Sequence, residues 1–395
     1  MQEPTFFAQT RPVALYVHIP FCERKCPYCD FNSYAGFTHL YDAFTEALER
    51  EIRAWGERLG RPVLRSVFLG GGTPTVLALH HLEAILRAVY DAFSLSPQVE
   101  ISVEANPGTT DRPLFKGLRD VGVNRLSLGA QSFRDEELTF LGRIHTAADI
   151  LHALEEARRV GFENVNLDLI YGLPAQPLSH WQGNVRRALE LAPEHLSCYA
   201  LTVESGTPLA RWVAEGRVPP PDDDVQGEMY EWTREALGRA GYVHYEISNW
   251  ARPGRMSVHN RVYWQHEPYL GVGPGAHSFD GTYRWWNLLS PQAYVRRLAE
   301  GRSPVAGWER LSTDVLQGEM MILGLRLLVE GVDRSRFFRR FGRDPVDVFS
   351  EPLQRFQRWG LVRVTENRIL LTPRAYAVAN RVFQAFLPAT EGVSG

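Results

Sequence analysis

Short apolar runs alternate with amphipathic stretches through the first half of the chain, and this alternation limits the available folds most. Runs with strand character lie at 14–19, 66–69, 99–104, 123–128, 164–170 and 196–201. After the first, Leu40, Phe44, Leu48, Ile52, Trp55 and Leu59 recur at helical spacing, and Leu79, Leu82, Leu86, Val89 and Phe93 share one face of the next helix. Strand–helix repetition predicts a parallel sheet, and the six units predict an α/β fold built on a partial (β/α)6 TIM-like barrel.

Side chains on a strand alternate between its two faces. Tyr16 and His18 alternate with Leu15, Val17 and Ile19; Glu100, Ser102 and Glu104 with Ile101 and Val103; Asn164, Asn166 and Asp168 with Val165, Leu167 and Leu169. A TIM barrel normally fills its lumen with branched apolar side chains, so a polar face predicts an occupied cavity. The alternative is an uncovered sheet with that face in water.

The first strand leads into Cys22-Glu23-Arg24-Lys25-Cys26-Pro27-Tyr28-Cys29. Three thiolates on one loop can ligate three irons of a 4Fe–4S cluster, leaving the fourth iron open to a small molecule. Disulfides fit poorly, because three cysteines are odd and Cys198 is distant. A zinc site would need a fourth ligand, with His18 the nearby candidate, although strand geometry should turn it away from the loop. The second strand ends in Gly70-Gly71-Gly72-Thr73-Pro74, a turn that lets backbone approach a ligand closely.

At 395 residues the chain exceeds one typical core, and 44% hydrophobic with 23% charged content is ordinary for a globular protein. A net charge of −3 argues against a general nucleic-acid binder. No apolar run approaches the roughly 20 residues of a membrane span, and residues 1–11 lack a signal-peptide pattern, so a cytoplasmic location is expected. The expected units are a barrel over 1–216, a barrel extension and linker region over 217–310, and a mainly helical unit over 311–395. The run 217–224 reads as linker or surface loop, and 361–371 as the hairpin of a small winged-helix-like module.

The cysteine spacing with the glycine turn resembles the radical S-adenosylmethionine (SAM) superfamily. Tyr16-Val17-His18-Ile19-Pro20-Phe21-Cys22, Gln131-Ser132-Phe133 and Asp168-Leu169-Ile170-Tyr171-Gly172-Leu173-Pro174 resemble oxygen-independent coproporphyrinogen III oxidases and their relatives. Glu246-Ile247-Ser248-Asn249 and Gly273-Pro274-Gly275-Ala276 extend the likeness over about residues 12–385. The resemblance implies that Cys22, Cys26 and Cys29 ligate the cluster and that SAM chelates the open iron. It also implies that Tyr16 and Tyr28 pack near cluster and adenine, that Gly71, Gly72 and Thr73 hold the methionine amino end, and that Glu104, Gln131, Asp168 and Arg143 contact the cofactor's polar groups.

Two departures refine it. The coproporphyrinogen-converting enzymes carry a further cysteine where this chain has Phe31, and Cys29-Asp30-Phe31-Asn32-Ser33 is similar to HemW-type haem chaperones. His259-Asn260-Arg261-Val262-Tyr263-Trp264 matches that group's signature. The candidate haem site is therefore His259, Tyr263 and Trp264, with His277 competing for the ligand role and a hydrogen-bonded structural histidine as the alternative for His259. The resemblance implies a chaperone that passes haem to haem-requiring proteins such as respiratory cytochromes. Its alternative is an oxygen-independent coproporphyrinogen III dehydrogenase. A homodimer and a peripheral position at the inner face of the membrane stay open.

Overall fold

In the computed structural model, which describes residues 4–388, the six apolar runs form six neighbouring parallel strands: β1 (Ala14–Ile19), β2 (Val63–Gly71), β3 (Ser94–Ala105), β4 (Arg125–Gln131), β5 (Val165–Tyr171) and β6 (His195–Ala200). Residues 1–3 and 389–395, the ends of the first and third expected units, lie outside the described residues. The outward face of each strand is apolar: Val17, Leu69, Val103, Leu128, Leu167 and Leu196 are completely buried beneath the helices. Each such side chain contributes about 1.5–3 kcal/mol relative to exposure. The inward face is polar, and register aligns it: Ser66 pairs with Glu100, Glu104 with Ser127, Ser127 with Asn166, and Asn166 with His195. Helices cover the sheet, so the polar face is a lumen.

Between residues 217 and 310, short strands add to both edges of the sheet. β7 (Val243–Glu246), at the sheet edge, pairs antiparallel with β8 (Asn249–Ala251), which lies next to β6 and antiparallel to it. β9 (Tyr269–Val272) adds parallel to β1, and β10 (His277–Phe279), β11 (Tyr283–Asn287) and β12 (Val305–Arg310) follow antiparallel. Between the edges runs a short helix, Val258–Trp264. Its first turn is anchored in the lumen, where Glu100 accepts hydrogen bonds from the Val258 and His259 N–H groups at 3.0 and 3.1 Å. The proline part of the run, 217–222, is the expected surface loop, and its last two acids, Asp223 and Asp224, begin a helix. Asp222 caps Asp223–Arg239 by accepting from the Asp224 and Val225 N–H groups, and carboxylates are favoured at that end of the helix dipole.

From Thr313 the chain forms helices around a three-stranded sheet of Val332–Asp333, Arg368–Leu371 and Val362–Val364, in that order. The hairpin is the expected one, and the third strand adds to it. This unit has its own core, including Met321, Leu325, Phe337 and Val382. It docks through the Leu328 N–H to Tyr245 carbonyl bond at 2.9 Å and the Arg326–Glu246 pair at 3.3 Å. Among the described residues no helix is long and apolar enough to cross a membrane.

Candidate functional site

The cysteine loop leaves the C-terminal end of β1. Lys25 closes it by donating to the Phe31 and Ser33 carbonyls at 3.0 and 3.2 Å. Cys22, Cys26 and Cys29 are free and half-buried, and all three face one cavity of about 410 Å³. Each sulfur has a polar neighbour: Thr73 Oγ1 at 3.6 Å from Cys22, Arg143 Nη1 at 3.6 Å from Cys26, and Ser33 Oγ at 3.9 Å from Cys29. Burial pushes the Cys22 and Cys29 thiols up, a cost that metal binding would offset by stabilising thiolate.

The spacing of the sulfurs separates the two metal readings. Tetrahedral zinc with Zn–S near 2.3 Å needs ligand sulfurs about 3.8 Å apart. Among the described residues, only exposed Asp42 and His80 with His81 bring three such ligand atoms within 4.8 Å of one another. The three cysteine sulfurs are not such a group, which favours a wider polynuclear cluster over a single zinc ion. His18 is not a fourth ligand. Its Nδ1 pairs with the Tyr16 hydroxyl at 2.9 Å and its Nε2 with the Asn32 carbonyl at 2.9 Å. It thus points toward the tail of the loop rather than away, because Asn32 folds back over β1.

The glycine turn packs directly against this loop. A Cβ on Gly71 would lie 2.4 Å from the His18 ring, and Gly71 has φ +112°; a Cβ on Gly72 would lie 2.5 Å from the Phe21 carbonyl oxygen. The Gly71 N–H donates to Glu104 at 2.9 Å. Asp168 accepts from Ser127 at 3.0 Å and from Asn166 at 2.9 Å. Burial is the main force pushing Glu104 up to about 7, aided by Asp168, and burial also raises Asp168. Gln131, at the end of β4, has φ +66°, a conformation costing about 1 kcal/mol or more that concentrates at functional sites. Cys22, Cys26, Cys29, Tyr28, Gly71, Gly72, Thr73, Glu104, Gln131, Arg143 and Asp168 all line this one chamber. Arg143 is committed inside the protein, to Cys26 and to the Gly129 carbonyl at 3.0 Å.

Tyr16 lies elsewhere. With His277, Tyr263 and Trp264 it lines a second cavity of about 590 Å³, one wall of which is the end of the helix Val258–Trp264. Gly71, Glu104 and Phe31 line both chambers. His259 does not face the second chamber as a free ligand. Its Nδ1 pairs with Ser66 Oγ at 3.0 Å and its Nε2 with the Tyr263 hydroxyl at 2.8 Å. Burial pushes its pKa down to about 3, and both its ring nitrogens are engaged within the protein. Ser127, Ser33 and Tyr199 also line the cofactor chamber and were not anticipated. Parity applied to β4 and β6 would have found Ser127 and Tyr199.

One more buried carboxylate ties the helix Tyr41–Leu59 to the added strands. Glu51, on the helix Tyr41–Leu59, accepts from the Gly273 N–H at 2.8 Å, from Asn287 Nδ2 at 2.7 Å and from the Tyr294 hydroxyl. Burial raises it from 4.5 to about 7. A carboxyl raised in the fold contributes stability that is fully present below its unfolded pKa and lost as pH rises through the folded one. Glu51 should therefore contribute a fall in stability of the cofactor-free protein from pH 5 to 8, of up to about 3 kcal/mol for a shift of this size, against the opposite trend set by buried histidines such as His259. Glu51→Gln should remove that contribution, so that in melting curves the variant's stability relative to wild type rises between pH 5 and 8. An unchanged slope in the variant would show that Glu51 titrates normally.

Residues 16–188 match the model of the radical SAM superfamily, and residues 311–378 match the HemN C-terminal domain. The chain is 38% identical to heme chaperone HemW of Bacillus subtilis over 373 residues, covering 94% of this chain and 98% of the relative. It is 38% identical to heme chaperone HemW of Mycobacterium tuberculosis over 382 residues, covering 95% of each. The solved structure of the radical SAM enzyme coproporphyrinogen III oxidase (HemN) from Escherichia coli superposes with a TM-score of 0.83 at 27% identity, covering 96% of this chain and 91% of that one. With its cysteine loop, its polar lumen and 38% identity to these relatives over nearly their full length, the chain belongs to the HemW family of the radical SAM superfamily.

Proposed function

We propose that the protein is a haem chaperone, which binds haem and passes it to haem-requiring proteins with the help of a 4Fe–4S cluster and SAM. The observation that carries this reading is identity to heme chaperone HemW across 94% of the chain. Phe31, where the coproporphyrinogen-converting enzymes carry a further cysteine, supports it. In this reading Cys22, Cys26 and Cys29 hold the cluster. Backbone groups of Gly71 and Gly72 with Thr73 hold the amino end of SAM, Glu104, Gln131 and Asp168 meet its polar groups, and Tyr28 shields the cluster from water. When bound, the cluster supplies one-electron chemistry to a ligand on its open iron. Arg143 tunes the cluster, since a cation beside Cys26 favours the reduced state. The units 1–216, 217–310 and 311–395 form part of the same reading, as do respiratory cytochromes as acceptors, a homodimer, and a peripheral position at the inner face of the membrane.

The likeness to coproporphyrinogen III oxidase (HemN) supports a second reading, oxidative decarboxylation of coproporphyrinogen III. Anaerobic reconstitution followed by parallel assays separates the two. The chaperone reading expects a specific Soret shift on titration with hemin and no protoporphyrinogen from coproporphyrinogen III with reductant present. Turnover to protoporphyrinogen without stable haem binding would reverse the assignment.

A further inference from the structure

We infer that haem sits in the second chamber with the His277 imidazole as its axial ligand. The inference rests on the chaperone reading and gives the haem a place within it. The chamber, at about 590 Å³, falls within the roughly 300–1,000 Å³ of small-molecule sites. Its walls are aromatic, formed by Tyr16, Tyr263, Trp264, Tyr269 and Phe279. Flat apolar rings suit a planar tetrapyrrole, whose faces gain from leaving water and from stacking.

The ligand follows from which histidine nitrogens are already occupied. His18 spends both on Tyr16 and Asn32, and His259 spends both on Ser66 and Tyr263. His266 faces Arg340 Nη1 at 3.2 Å with one nitrogen and Glu319 at 3.3 Å with the other. His277 lines the chamber and is exposed, and its ring makes no hydrogen bond among the described residues. It stacks on Trp286 at 5.8 Å and 28°, which fixes the plane of the imidazole. An oriented ring with free nitrogens on an aromatic cavity wall is the donor that haem iron takes.

The rim supplies an independent observation. Phe31 is 64% exposed and Leu289 60%, two of the largest apolar exposures in the chain. Phe31 lines the chamber, and Leu289 lies against Gly275, which also lines it. Asn32 holds them together by donating to the Pro274 and Leu289 carbonyls at 3.0 and 3.1 Å. A porphyrin face laid against this rim covers both side chains. It would also abut the cofactor chamber across Gly71, Glu104 and Phe31.

The test is hemin titration of cluster-loaded full-length protein, wild type against His277→Ala and His259→Phe, followed by absorption and EPR. His277→Ala should weaken hemin binding at least tenfold and remove the imidazole-ligated spectrum, and added free imidazole should restore that spectrum. His259→Phe should keep the wild-type spectrum. Because His277 is exposed, its loss leaves the fold intact, which the unchanged cluster absorption would verify. Wild-type affinity and spectrum in His277→Ala would overturn the ligand assignment and leave the chaperone reading standing. Failure of the wild type itself to bind hemin would overturn that reading.

Discussion

Cys26→Ser should yield a folded protein that lacks the visible absorption of an iron–sulfur cluster and no longer binds SAM. Cys26 is half-buried on a loop over the chamber, outside the apolar core. The loop's closure depends on Lys25 and the Phe31 and Ser33 carbonyls, none of which the substitution touches. Thermal stability without cofactor should change by less than about 1 kcal/mol, the usual range for surface changes. Cluster loading is a different matter. A serine oxygen is a hard ligand where iron–sulfur chemistry selects soft thiolate, and the two remaining cysteines would leave two irons open. Iron and sulfide content, EPR of the reduced protein and calorimetric titration with SAM measure the loss directly. Cys198→Ser is the control: Cys198 is buried on β6 and takes no part in the chamber, so the variant should load a full cluster even if it melts earlier. A Cys26→Ser protein with full iron content would remove the loop from the cluster assignment.

Much of this was legible in the chain because the signals involved are local. A side-chain period of two depends only on strand geometry, so the polar lumen could be read from β1, β3 and β5 before any packing was known. The cysteine loop and the glycine turn are likewise short segments whose spacing carries their chemistry. What escaped was set by distant contacts. Parity put Tyr16 on the polar face but could not say which chamber it lines. One wall of the second chamber is the helix at Val258–Trp264, held in place by Glu100 from more than 150 residues away. The same distance hid the state of His259, whose Nδ1 is taken by Ser66 across 193 residues of sequence. The acidic run at 222–224 was readable in principle, since aspartate ahead of a periodic stretch is an N-cap signal as much as a loop signal.

Gly72→Ala should be among the most damaging single-methyl changes in the cofactor chamber. The N–H of Gly72 bonds to the Ile19 carbonyl at 2.8 Å and that of Thr73 to the Phe21 carbonyl at 2.7 Å, so the glycine turn and the start of the cysteine loop form one joint. A Cβ there would meet the Phe21 oxygen at 2.5 Å, with the Ile19 oxygen and Phe21 nitrogen both at 2.9 Å. All three are backbone atoms, which cannot rotate aside as a flexible side chain could. Relief requires the chain at Phe21–Cys22 to move outward, breaking the joint and shifting both Cys22 and Thr73. Overpacking of this kind costs about 3 kcal/mol, which for a chain this size lowers the melting temperature by roughly 5 °C. Cluster content and SAM affinity should fall together with stability, since the displaced atoms are those proposed to hold both. Gly183→Ala provides the contrast. It lies within the helix Leu178–Leu191, where an added Cβ meets nothing within 4 Å, so it should stabilise the helix by about 0.5–1 kcal/mol and leave loading unchanged. If Gly72→Ala loaded its cluster like Gly183→Ala, the joint between turn and loop would have to be slack, and the glycine there would not be what brings Thr73 to Cys22.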